Sequence, residues 1–321
     1  MTARWGAVVA LVAAGCAETS TGAVRARGPR TGPDDGDLWN LVPNDTDALA
    51  DVDLAALRTS PWSRSLMEGS LDAEREERRR RFGYDVFTEA ERMLVVSTET
   101  TGAPATLTIA RGRFDTGHVG GAFLGATPGA SATQWRNSPL WEGEGRAIAM
   151  VTPRTLAQGD GPRVRAAVDA AWGMIPDAGS GPLGELRRTL EADKSPPAVA
   201  LAISVTDGMR ARAQGVLAVP DGLRRIGARL DLGDDLDFDA LALFDGGGQA
   251  ARAATLWTDM ARVYARQRMV ALLGLSPLLD GLTVAAEGSR VHVHLHIPAN
   301  KREGLADKIL AILQLLAKAR H

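Results

Sequence analysis

Alternation of apolar and polar positions is clearest in the later half of the chain. Across residues 224–232 and 236–244, Ile226, Ala228, Leu230 and Leu232 would face Leu236, Phe238, Ala240 and Ala242, which predicts a hairpin. A second hairpin is read in "LTVAAEGSRVHVHLHIP", turning at Gly288-Ser289. Ala198–Val205 is a continuous apolar run of strand length. The period then changes from two to about 3.6, predicting a long helix from Gly248 to Leu273 and a last one from Lys301 to Ala319. Leu305, Ile309, Ile312 and Leu316 share one face of that last helix, and Asn300 with Glu303 form a capping box.

The earlier half reads less cleanly. Strands are predicted at Ala48–Val52, Arg92–Ser97, Ala105–Ala110 and Arg146–Val151. Asp53 caps one helix, Ser60-Pro61 restarts it, "LDAEREERRRRFG" forms a charged helix, and Pro162–Gly173 forms another. Between them, residues 118–139 are too rich in Gly and Ser to show a period, and "PDAGSGPLG" at 176–184 marks a boundary. The expectation is an α+β protein: antiparallel sheets with helices packed on one face, in two similar-sized units at 38–177 and 183–321. Recurring strand–strand–helix modules suggest an internal duplication.

Composition narrows the class. The chain is 45% hydrophobic and 24% charged with net charge −2, values of a globular protein with no global attraction to nucleic acid. Its single cysteine, Cys16, excludes an intramolecular disulfide. That cysteine ends the N-terminal apolar run. Arg4 precedes the run from Trp5 to Ala14, about half the length a spanning helix needs.

Ala13-Ala14-Gly15-Cys16 resembles the lipobox of bacterial lipoproteins, although Ala13 stands where leucine is commonest. The resemblance implies a signal peptide at 1–15, lipidation of the Cys16 thiol and cleavage before it. Residues 16–37, rich in Gly, Pro and charge, then read as a flexible tether. Ala17, rather than aspartate, resembles the outer-membrane sorting signal. The expected address is therefore the outer membrane, periplasmic side, with the membrane held through the lipid anchor. The stretch "VPNDTDA" with Ser60-Pro61-Trp62 also resembles bodies of uncharacterised secreted proteins from GC-rich bacteria, a likeness that implies no activity.

Candidate chemistry is sparse. His292, His294 and His296 alternate along one strand, so the three imidazoles share a face. Same-face neighbours lie about 6.7 Å apart, close enough for a His-x-His pair to grip zinc. Their expected cross-strand partners, Ala285 and Thr283, are not ligands, and the row reads first as solvent-facing, with metal as the alternative. Asp231, Asp234, Asp235, Asp237 and Asp239 surround the first hairpin's turn. A three-residue turn would set Asp231 against Asp237, a repulsion that a cation such as Ca²⁺ could relieve, and Arg229 against Asp239. "FDGGGQAA" at 244–251 reads as glycines turning the chain, and "EREERRRR" at 74–81 as a solvated helix face. There is no G-x-S-x-G, and His118 is the one remaining internal histidine.

No catalytic residue and no cofactor are assigned. The expected function is a lipid-anchored envelope protein that binds or supports without catalysis. Alternatives are a periplasmic carrier of an apolar ligand or lipid, and a zinc hydrolase built on the histidine row.

Overall fold

The structure is a computed structural model, and it describes residues 31–33, 36–63, 72–99, 104–192, 194–213, 219–267, 279 and 281–301. The signal segment, Cys16, most of the tether and the last predicted helix lie outside the described residues. The described chain forms two compact units, one drawn from 19–55 and 69–186, the other from 56–68 and 187–321. It passes between them within helices α1 (Leu54–Thr59) and α6 (Pro182–Glu191).

The first unit contains strands β1 (Ala48–Asp53), β2 (Ala90–Thr98), β3 (Ala105–Gly112), β4 (Ser131–Trp135), β5 (Ser138–Gly143), β6 (Arg146–Thr152) and β7 (Thr155–Asp160). Its helices are α2 (Asp72–Phe82), α3 (Val86–Glu89), α4 (Thr116–Ala126) and α5 (Gly161–Ala171). The strands pair antiparallel in the order β1-β2-β3-β7-β6-β5-β4. Helix α5 lies against β3, β6 and β7 and buries Val164, Ala167, Val168 and Ala171, the i, i+3, i+4, i+7 stripe of an amphipathic helix. Helix α4 meets the opposite face, where Gly120 lies so near Trp141 that a Cβ would stand 2.4 Å from the ring. A second helix layer is thus added to the single covered face the pattern suggested, and β6 is buried from Ala147 to Thr152. Leu94, Leu107, Ile109, Ile148 and Leu156 are fully buried in this sheet, each worth roughly 1.5–3 kcal/mol of transfer free energy.

The Gly- and Ser-rich residues 118–139, which show no period, belong to α4 and the β4–β5 hairpin. Asp115 caps α4 by accepting from the His118 amide at 2.9 Å. Arg136 and Asn137 join the strands with φ of 50° and 63°, the left-handed pair of a tight hairpin turn. Thr155–Asp160 is a further strand the pattern did not announce.

The second unit contains β8 (Val199–Ser204), α7 (Asp207–Ala213), β9 (Leu223–Leu232), β10 (Leu236–Phe244), α8 (Gly247–Ala265), β11 (Thr283–Glu287) and β12 (Arg290–Ile297). Strand order is β11-β12-β10-β9-β8, again antiparallel. The long helix was expected to reach Leu273; α8 ends at Ala265, and residues 268–278 are outside the described residues. Ser60-Pro61 was expected to restart a helix; Pro61–Ser63 form a turn, and residues 64–71 lie outside the described residues. Alternation on β10 and β12 puts Ala242, Phe244, Val291 and Val293 on one face, where Phe244 packs against Trp257 of α8 at 6.1 Å. Trp62 closes the other end of this layer against Ile297, Leu232, Leu236 and Leu295, and its Nε1 donates to the Asp234 carbonyl at 3.0 Å. In two places a hairpin runs directly into a helix: β6–β7 into α5, and β9–β10 into α8.

Candidate functional site

The face of β9–β10–β12 turned away from α8 carries most of the candidate residues. Register puts Asp231 opposite Asp237 and Asp237 opposite His296, with Arg229, Asp239 and His294 as the next row. Opposed residues in an antiparallel sheet share a face, so three strands build one polar ladder. On the β11 side, Ala285 and Thr283 stand opposite His292 and His294, as the hairpin turn predicts. Its chemistry comes from the other neighbour. His294 Nδ1 lies 2.8 Å from Asp239 Oδ1, and His296 Nδ1 lies 2.8 Å from Asp237 Oδ1. His296 Nε2 is also 3.7 Å from Asp235, whose other oxygen accepts from the Ala299 amide. His292 Nε2 lies 4.0 Å from Glu287.

Arg229 corrects the expected cross-strand pairing with Asp239. It opposes Asp239 in register, but its guanidinium turns along its own strand to grip Asp231 at 2.7 and 2.6 Å. It also donates to the carbonyls of Ser195 and Leu190, at the end of α6. At 2% exposure, such a cation needs these partners to offset its desolvation. Asp239 is instead held by Lys194, at 2.5 Å.

The electrostatics follow. Hydrogen bonding to Asp237 raises the His296 pKa above the usual histidine value; slight desolvation opposes it, and Asp235 adds to it. Burial pushes the Asp239 carboxyl up, but Lys194 and His294 outweigh it and hold it below the usual carboxylate value. Thr283 Oγ1 donates to the His294 carbonyl rather than to the ring. The Asp231–Asp237 repulsion is relieved by Arg229 and His296. Among the described residues, no three His, Cys, Asp or Glu side chains converge as metal ligands do.

A second feature lies in the first unit, an open groove of about 620 Å³ along α5. Glu142, Arg146, Arg165 and Asp169 line it together with Gly145 and Ile175. Arg165 is bidentate on Glu142, with its guanidinium 4.9 Å from the Trp135 ring centre. Trp135 Nε1 and Arg136 both donate to Asp169. The charges here neutralise one another in pairs. Sequence reading missed this cluster because Trp135, Glu142 and Arg165 come from three different elements.

Among the described residues, the remaining candidates lie away from this face. Gly246–Gly248 carry the chain from β10 into α8, with Gly247 against the Gly288 backbone. On α2, Arg75 binds Asp85 at 2.8 Å and Arg80 binds Glu77 at 2.7 Å. His118 sits on the exposed first turn of α4. Cys16 lies outside the described residues.

No protein-family model matches the chain, and no curated protein matches it in sequence. Solved structures do match the fold. The crystal form III structure of TP0453 is 12% identical, with a TM-score of 0.52 over 85% of this chain and 97% of that one. Crystal form IV of TP0453 is 13% identical, with a TM-score of 0.50 over 85% and 96%. At these identities the likeness is one of α+β fold, and it assigns no activity.

Proposed function

We propose that this chain is a lipid-anchored protein of the cell envelope, whose α+β body acts by binding or by structural support rather than by catalysis. One observation carries the reading: the only cysteine closes Ala13-Ala14-Gly15-Cys16 after a short apolar run and before a Gly- and Pro-rich stretch. A thiol there is the nucleophile that lipidation needs, and two or more acyl chains hold a protein stably where one does not. Ala17 supports the outer membrane, periplasmic side.

The geometry of the body favours binding or support over chemistry. The His294 and His296 rings are engaged by carboxylates, of which Lys194 also holds Asp239 and the Ala299 amide also binds Asp235, and the Thr283 hydroxyl is turned to a carbonyl. A carrier of apolar cargo gains little support from a groove with Glu142, Arg146, Arg165 and Asp169 on its walls.

The test is mass spectrometry of the mature chain from a membrane fraction, beside Cys16→Ser. The expected result is an acylated N-terminal Cys16 in the parent, and a variant that is unprocessed or released. A parent chain with an unmodified terminus upstream of Cys16, or one recovered freely dissolved, overturns the reading.

A further inference from the structure

We propose that His296, seated against Asp237 and Asp235, is a protonation-controlled clamp that fastens the β11–β12 hairpin to β10 beside the His294–Asp239 contact, and with it the cover over one end of the second unit's apolar layer.

Charge counting on the ladder motivates the clamp. Four carboxylates, Asp231, Asp235, Asp237 and Asp239, lie against two fixed cations, Arg229 and Lys194. A proton on His296 compensates half of the remaining negative excess, its ring standing 2.8 Å from Asp237 and 3.7 Å from Asp235. The groups facing the rings come from every neighbouring strand. Asp237 and Asp239 come from β10, with Asp231 and Arg229 behind them on β9. Asp235 belongs to the turn, which also carries the exposed Asp234, and Lys194 follows α6. On β11, Thr283 opposes His294, and Glu287 lies near His292 and opposite Arg290.

The hairpin is the element such a clamp can govern. Of its strand residues only Val291 and Ile297 are buried, and β11 ends the sheet. Strands with so few buried contacts open before the rest of a unit. Beneath it, α8 packs against β11 and β12, and Trp62 against Ile297. Lifting the hairpin therefore uncovers apolar surface.

The sign of the effect is set by two groups of the ladder, His296 and Asp239. The His296 pKa is raised, so its contribution is full below the ordinary value of 6.5 and is lost as the pH rises through the folded value. The Asp239 pKa is lowered, so its contribution is present above the ordinary 3.8 and is lost as the pH falls through the folded value. The clamp is tightest between those two limits.

Native-state hydrogen exchange on the full chain tests it, with protection factors corrected for intrinsic exchange and compared at about pH 5.5 and about pH 8. Protection of β12 amides is expected to fall about threefold at the higher pH while β9 amides stay level. The His294→Gln/His296→Gln variant should lose this dependence. Proton NMR of the parent supplies a readout independent of any variant, with His296 titrating above 6.5. Equal β12 protection at both pH values, the same pH dependence in the double variant, or a His296 midpoint at or below 6.5 overturns the clamp.

Discussion

Arg92 on β2 holds Asp51 of β1 through two hydrogen bonds, Nε to Oδ1 and Nη2 to Oδ2, each 2.7 Å long. Trp39 Nε1 donates to the same carboxylate at 2.7 Å, so one side chain of 1% exposure satisfies a cation and an indole. Asp51→Ala removes the acceptor that the buried indole and the partly exposed guanidinium share. The expected loss is about 2–3 kcal/mol, reduced from the fully buried case because Arg92 is 26% exposed. Asp51→Asn keeps an acceptor and should lose less. Urea midpoints of the two variants measure the difference.

Two neighbouring glycines of α4 should respond in opposite directions. At Gly120 a Cβ meets the Trp141 ring at 2.4 Å, whereas at Gly121 nothing lies within 4 Å. Gly120→Ala is expected to destabilise by about 1–3 kcal/mol through overpacking. Gly121→Ala should stabilise by about 0.5–1 kcal/mol, because alanine restricts the unfolded chain and suits a helix. Thermal melts of both variants give the two signs directly.

Arg229 is a buried cation whose donors go to Asp231 and to two carbonyls near the end of α6. Lysine there supplies one point charge instead of a planar fork, and Arg229→Lys is expected to cost about 2 kcal/mol. Arg229→Ala, which strands Asp231 and those carbonyls, should cost more, about 3 kcal/mol. Denaturant unfolding of both variants checks the order.

Acid should weaken the first unit through Asp85. Burial raises its pKa, but Arg75, the Phe87 amide and Thr88 outweigh it and the net shift is downward. A lowered carboxylate contributes stability above the unfolded value, 3.8, and loses it as the pH falls through the folded value. Arg75→Gln is therefore expected to lower stability at neutral pH and to flatten its acid dependence below about pH 4. A pH series of melting temperatures for parent and variant reads this out.

The second unit was more legible in sequence than the first for identifiable reasons. Strict alternation in 223–244 and a three-residue turn at Gly233–Asp235 allow one register, and Asp231 does face Asp237. The β4–β5 hairpin turns on Arg136-Asn137 rather than on Asn-Gly, and α4 buries Val119, Gly120 and Phe123, a stripe too poor in apolar residues to show its period. The histidine ladder was half legible. Its shared face follows from spacing alone, while its carboxylate partners depend on β12 pairing with β10 across the intervening helix α8.

By itself the sequence determined what is local: the lone Cys16 behind an apolar run, two hairpins with their registers, the long helix that follows the first of them, and the common face of His292, His294 and His296. Those features depend on neighbours a few residues apart, where backbone geometry leaves little choice. Only the tertiary structure decided that Asp237 and Asp239 lie beside those histidines, that buried Arg229 donates to the carbonyls of Leu190 and Ser195, and that α4 and α5 cover opposite faces of one sheet. Such contacts join segments far apart in the chain, and competition for burial among all elements at once selects them.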